Sequence, residues 1–166
     1  MRLLKLVEAS RVVAVVTVCL VGLAQHLALA QRDPLIGAWQ LNPAKSTFSP
    51  GPPPRSQTLI YSEQGLALKA TNRGIDAQGK RSTLEFTIAY DEKDYPTLGS
   101  RDYDLSAYRR IDAHTSEFTR KKGGKVVQRG TRVLSKDGNT LIFTVKGVDA
   151  SGRKISNVVV FEREER

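Results

Sequence analysis

The amino-acid sequence predicts an all-β protein, an up-and-down antiparallel barrel of eight to ten strands. Three observations carry this. From Gln57 onward apolar residues recur at every second position, the period of a strand with one buried face. Glycine and aspartate signals, among them Gly123-Gly124 and Asp137-Gly138, punctuate the pattern and supply the positive φ that two-residue hairpins need. No stretch beyond residue 30 repeats apolar residues at helical spacing over three turns. Consecutive hairpins favour closure into a barrel, which leaves no exposed strand edge.

Ahead of the barrel the chain opens on a leader. Arg2, Lys5 and Arg11 give it a basic start, and residues 12–23 are apolar except for Thr17 and Gly22, too short a run to span a bilayer comfortably. Ala28-Leu29-Ala30 follows as a small-x-small cleavage signal. That order is the order of a secretory signal peptide over residues 1–30, cleaved after Ala30. It implies a periplasmic or secreted protein with no transmembrane segment after cleavage. Residues 31–166 are then a single domain, long enough for one core and short for two. They contain no cysteine, since the one Cys of the chain is Cys19, so disulfides and thiol nucleophiles are excluded. Over 31–166 there are 23 basic and 16 acidic residues, a net charge of +7 against +9 for the whole chain. Such a balance bears on attraction to anionic surfaces rather than on fold.

The first strand is expected over 35–42 and carries the only Trp, Trp39. Residues 43–56 form a Pro-rich connection: Pro50, Pro52, Pro53 and Pro54 flank Gly51, and proline lacks the amide donor that a helix or central strand uses. It is read as an extended surface connection, with a lid across a barrel mouth as the functional alternative. Strands follow at 57–62 and, after Glu63-Gln64-Gly65, at 66–71. The next, 83–90, alternates Leu84, Phe86, Ile88 and Tyr90 with polar residues. Strands 103–111 and 114–122 join across Asp112-Ala113; 125–135 and 139–146 follow the two hairpin turns. The last, 154–162, sets Ile155, Asn157, Val159 and Phe161 on one face. That makes nine, whereas an up-and-down antiparallel barrel closes only on an even number. Either the first strand is an adjunct to eight or, as favoured here, a short strand lies between Glu92 and Gly99. A barrel of this size holds its own side chains or one small ligand.

One motif recurs. Residues 71–80 and 144–153 share the form T-x-[RK]-G-[IV]-D-A-x-G-[KR]. It reads as a reused hairpin loop in which Asp76 and Asp149 hydrogen-bond their own backbone. A cation site would need more than one carboxylate per loop, and the acidic stretch Asp91, Glu92 and Asp94 likewise lacks calcium-loop spacing. With ten strands the two loops share one rim; with nine they sit at opposite ends. No metal is expected.

Beyond residue 30 the only histidine is His114, beside a tight turn, which excludes a His-based zinc site and leaves a Ser-His-Asp triad without partners. There is no phosphate loop and no nucleophile elbow. The chain is therefore expected to be no enzyme and to use no cofactor. The barrel interior is expected to present Tyr61, Phe86, Tyr90, Tyr108, Phe118, Arg132 and Phe143, with Phe161, and to take a small hydrophobic or amphipathic ligand. Arg132, and one of Tyr108 and Arg109, which must face opposite ways, are the polar groups suited to a carboxylate head. The competing expectation is a closed barrel with no ligand, acting as an envelope interaction module through a basic hairpin. Arg120, Lys121, Lys122 and Lys125 surround Gly123-Gly124 there and would face an anionic surface, unless they are simply a solvated end. The leader argues against nucleic acid, and a monomer is expected.

Gly37-x-Trp39 on the first strand resembles the G-x-W signature of the lipocalins and the wider calycin group, which includes the fatty-acid-binding proteins. Leu41-Asn42-Pro43-Ala44-Lys45-Ser46, Tyr90-Asp91-x-Lys93-Asp94-Tyr95-Pro96 and Arg110-Ile111-Asp112 are similar to small exported bacterial proteins labelled lipocalin-like. The resemblance implies a ligand-carrying barrel whose Trp packs at the closed end beneath an Arg near the last strand. The matching residue is Arg163, with Arg132 as a rival, and the contact would be structural. The chain departs from lipocalins in lacking cysteines and a C-terminal helix, and from fatty-acid-binding proteins in having a Pro-rich loop where they have a helical lid.

Overall fold

The structure, a computed structural model, describes residues 32–164. The chain divides into Met1–Asp33 and Pro34–Arg166, and all ten strands lie in the second unit. The expected leader with its cleavage point after Ala30 lies outside the described residues. Among the described residues no helix is long and apolar enough to cross a membrane.

The strands are β1 (Gly37–Leu41), β2 (Ser56–Gln64), β3 (Ala67–Ile75), β4 (Arg81–Ile88), β5 (Tyr95–Leu98), β6 (Leu105–Arg110), β7 (Thr115–Lys122), β8 (Lys125–Leu134), β9 (Thr140–Val148) and β10 (Lys154–Arg163). Each pairs antiparallel with its neighbours in sequence, and β1 pairs with β10 to close the barrel. The strand missing from the count of nine is β5, between Glu92 and Gly99. Its four residues make only two register pairs to each neighbour, and Pro96 removes a donor, so it carries almost no alternation of its own.

Up-and-down order sorts the connections to two ends. Residues 65–66, 89–94, 111–114 and 135–139 lie at one end; 42–55, 76–80, 99–104, 123–124 and 149–153 lie at the other. The first end is sealed. Trp39 is 0 % exposed, and its indole Nε1 donates to the Leu35 carbonyl at 2.8 Å. The Arg163 guanidinium lies 4.1 Å above the Trp39 ring and donates to the carbonyls of Gly138, Ile36 and Pro34. Gly37 makes this possible: at φ 133°, any Cβ there would press on the Arg163 guanidinium. The G-x-W pair thus has a steric cause, and the stack is worth about 0.5–2 kcal/mol.

Residues 42–55 are more than a connection. Asn42 caps a 3-10 turn, Pro43–Lys45, and the chain then runs along β10, with Thr47 exchanging backbone hydrogen bonds with Val158 and Ser49 accepting from Ser156. This strap extends the short β1 toward the second end and turns Phe48 inward.

β7 and β8 contain the one irregularity that decides what faces the interior. A bulge between Arg120 and Lys121 pairs Lys121 with Val126 but Arg120 with Gln128, leaving Val127 extra. A one-residue shift exchanges the two faces of a strand. It turns Gln128, Gly130, Arg132 and Leu134 inward and leaves Arg129 and Val133 outside. The Val127 carbonyl bulges toward β9, where Gly147 adopts φ 151°; a Cβ there would collide with it.

Candidate functional site

Five aromatic side chains form an arc across the barrel: Phe86, Tyr108, Phe118, Phe143 and Phe161, with neighbouring centroids 5.7–6.3 Å apart. They come from β4, β6, β7, β9 and β10, each at an inward position of the alternation. This arc divides the interior. Toward the sealed end the barrel is filled by Trp39, Tyr61, Leu68, Ala70, Ile88, Leu134 and Leu141, all buried. Toward the other end lies a cavity of about 450 Å³, floored by Phe86, Phe143 and Phe161 and walled by Leu59, Leu84, Val145, Ile155, Val159 and Phe48.

Polar groups enter the cavity at defined places. Arg120 projects into it, its Nη1 donating to the Gln128 side-chain oxygen at 3.0 Å, and Gln128 in turn donates to the Val148 carbonyl. The guanidinium lies 4.5 Å over Tyr103 and 4.6 Å over Phe118. Among the described residues it has no carboxylate partner, and its Nε is buried without an acceptor. Across the cavity the Asn72 side-chain oxygen is likewise buried without a donor. Buried polar atoms left unpaired by the protein are uncommon, and each calls for an explanation. Burial pushes the Tyr103 hydroxyl above its ordinary range, so it stays protonated at neutral pH.

A second arginine lies beneath the arc. Arg132 is 2 % exposed, opposite Ser116 and Phe143 in register. It donates to the Tyr90 hydroxyl at 2.7 Å and the Tyr61 hydroxyl at 3.4 Å, and lies 5.5–5.6 Å from the rings of Tyr61, Tyr90 and Tyr108. Among the described residues it too has no carboxylate partner, and it does not line the cavity. Burial raises the Tyr61 hydroxyl, partly offset by Arg132, and raises Tyr108 strongly. Tyr90 reaches Arg132 from a left-handed backbone, φ 57°, with the Arg110 guanidinium 4.0 Å from its ring centroid.

The expected interior residues therefore sort by depth. Tyr61, Phe86, Tyr90, Tyr108, Phe118, Arg132 and Phe143 are all brought together inside, but only Phe86 and Phe143 face the cavity. Tyr108 points in and Arg109 out, where it pairs with Glu117 at 2.6 Å. Arg120 corrects the expectation of a surface cation: it stands two residues beyond Phe118 on the same face of β7, so alternation carries it inside. Lys121 is half-buried and bonded to Asp94 at 2.7 Å, leaving Lys122 and Lys125 exposed at the hairpin tip. Sequence reasoning missed Arg120, Gln128, Asn72, Tyr103 and Phe48 as cavity residues. Counting in steps of two from Phe118 finds Arg120; the bulge hides its pairing with Gln128.

The recurring loops share the open rim, as ten strands require. Asp76 accepts from the Gln78 and Lys80 amides, and Asp149 from the Ser151 and Arg153 amides, so each carboxylate closes its own turn. Among the described residues no group of three or more His, Cys, Asp or Glu is placed to hold a metal ion. His114 lies at the sealed end, its backbone amide bonded to Asp112.

No family model matches the chain, and no curated protein matches it. Solved structures do. The protein Rv2717c from M. tuberculosis superposes with a TM-score of 0.51 at 13 % identity, over 80 % of this chain and 94 % of that one. The zebrafish ileal bile acid-binding protein in complex with cholic acid gives 0.47 at 11 % identity, over 79 % and 99 %. The siderocalin Ex-FABP gives 0.37 at 10 % identity, over 79 % and 74 %. At such identities the likeness is one of fold: the chain is a closed, ten-strand antiparallel barrel.

Proposed function

We propose that the protein is an exported carrier or sensor of a small amphipathic molecule with an anionic head group. The observation that carries this is Arg120, a guanidinium inside an apolar-floored cavity, with no carboxylate partner among the described residues and one N–H unpaired. An anionic head there would receive charge-assisted hydrogen bonds worth about 1.5–3 kcal/mol, while an apolar body lies on Phe86, Phe143, Phe161 and Leu59. The cavity is at the small end of the range for ligand sites, which favours a short chain or a few rings. Binding rather than catalysis is supported by the position of His114, far from the cavity mouth. Export rests on the leader sequence and its cleavage point after Ala30.

Native mass spectrometry tests this on the chain from Gln31 onward, recovered from the periplasm of its own host or a close surrogate. The expected result is a discrete adduct that disappears on denaturation and is absent from Arg120→Gln. A bare polypeptide mass, unchanged after incubation with a mixed lipid extract, would contradict it.

A further inference from the structure

The basic hairpin and the cavity mouth occupy the same end of the barrel. The Gly123 amide at the hairpin tip donates to Asp104 Oδ2 at 3.0 Å, Asp102 Oδ1 accepts from the Ala150 amide at 2.9 Å, and Arg55 donates to the Ala77 carbonyl at 3.1 Å. These bonds tie the rim loops to one another around the opening. They also engage the rim's carboxylates: Asp102 and, through Oδ2 alone, Asp104 hold neighbouring loops, Asp76 closes its own turn, and Asp149 binds Ser151 and Arg153; Asp104 Oδ1 is buried without a partner. Lys80, Arg81, Arg101, Lys122, Lys125 and Lys154 are all exposed, and none is in an ion pair among the described residues. Beside the tip Val126 is 43 % exposed. The sealed end has the opposite balance, with Asp91, Glu92, Asp112 and Asp137 among its exposed residues.

We propose that this rim docks on an anionic lipid bilayer, with the cavity mouth turned toward the headgroups. The six cations are spread over four of the five connections of this end, Lys80 and Arg81 on one, Lys122 and Lys125 on another, Arg101 and Lys154 on one each, a spread that matches a flat anionic surface. They do not line a groove of the kind that tracks a polyanion chain. The opposite sign at the far end orients the molecule in the field of such a surface. Val126 adds an apolar contact at the headgroup level. The docking goes beyond the cavity reading and stands without it, because it uses only the rim.

Vesicle flotation of the chain from Gln31, with the full chain run beside it, tests the docking without any cavity ligand. That segment contains every strand and its pairing. Binding is expected to vesicles with about 30 % phosphatidylglycerol and not to pure phosphatidylcholine. It should be lost at about 0.5 M salt, where screening leaves only a few Å of reach. Lys122→Glu/Lys125→Glu should weaken it by at least about tenfold, whereas Lys136→Glu at the sealed end should leave it unchanged. The substituted lysines are exposed in turns, and circular dichroism checks that the barrel persists. As an orientation readout, Val126→Trp should gain a blue-shifted emission on anionic vesicles that native Trp39 does not show. Equal binding to neutral vesicles, no binding, or equal loss from substitutions at both ends would overturn the proposal. Tighter binding to heparin than to vesicles at matched charge would overturn it too, by assigning the rim to a soluble polyanion.

Discussion

Two arginines stand on adjacent strands of one barrel, both inside it, and neither meets a carboxylate among the described residues. Arg132, below the aromatic arc, is enclosed by Tyr61, Tyr90 and Tyr108 and bonded to two of their hydroxyls. Arg120, above the arc, has Gln128 on one side, two rings against its face and a cavity in front. A buried charge is costly unless its hydrogen bonds and surroundings compensate. The protein supplies that compensation for Arg132 from its own side chains and only partly for Arg120. The same residue type is thus architecture in the sealed half and a receptor group in the open half. Its role is set by the surroundings.

The largest expected effect comes from breaking the sealed half. Arg132→Ala leaves the tyrosine hydroxyls unpaired beside a void and should cost about 3 kcal/mol. Chemical denaturation should show a lower midpoint with an unchanged slope. Arg120→Ala should cost less than about 1 kcal/mol in the same assay, because one side of its guanidinium already faces the cavity. Equal losses for the two would erase the distinction between the halves.

Next in size is Gly147→Ala. Its Cβ would collide with the Val127 carbonyl from a left-handed backbone, undoing the bulge that turns Arg132 inward and sets Gln128 against Arg120. A loss of about 2–3 kcal/mol is expected, again by denaturation.

The tyrosines sharpen the comparison by titration. Burial raises Tyr61, Tyr103 and Tyr108 above the ordinary value of 10.0. The unfolded chain ionises first as pH rises, so the stability tied to these groups is complete below pH 10.0 and declines above it. Absorbance at alkaline pH should show these three hydroxyls ionising only as the barrel unfolds. Smallest is the acid limb at the open rim. The Ser151 hydroxyl and Arg153 hold the Asp149 carboxyl down to about 2, against 3.8 for the free group. Its contribution is present above 3.8 and fades as pH falls toward 2. Asp149→Asn should flatten that limb slightly in an acid titration followed by circular dichroism.

Much of the architecture was legible because period two and turn chemistry are local. Gly123-Gly124 forms the expected two-residue hairpin, whereas Asp137-Gly138 sits in a longer loop, 135–139, closed by Ser135 and Thr140 with only Gly138 at positive φ; the Asp76 and Asp149 loops fell on one rim once the strand number was even. β5 was visible only through that parity, since four residues with a proline show no pattern. The depth of a residue was not legible. Phe86 and Tyr108 have the same alternation, and only the stagger of the closed sheet puts one on the cavity and the other beneath it. Arg120 was misassigned because a cation beside a lysine run resembles surface, while its two-residue spacing from Phe118 sends it inside. The strap at 46–49 was hidden by the prolines on either side of it, Pro43 and Pro50; its order comes from hydrogen bonds to β10.

The most direct measurement is a binding titration of wild type and Arg120→Gln with dodecanoate and its neutral counterpart dodecanol. Wild type should prefer the anion by about 10–100-fold, the worth of one charge-assisted contact, and Arg120→Gln should bind both alike. A preference for dodecanoate that survives in Arg120→Gln, or no preference in wild type, would contradict the assignment of Arg120 as the receptor group of the open half.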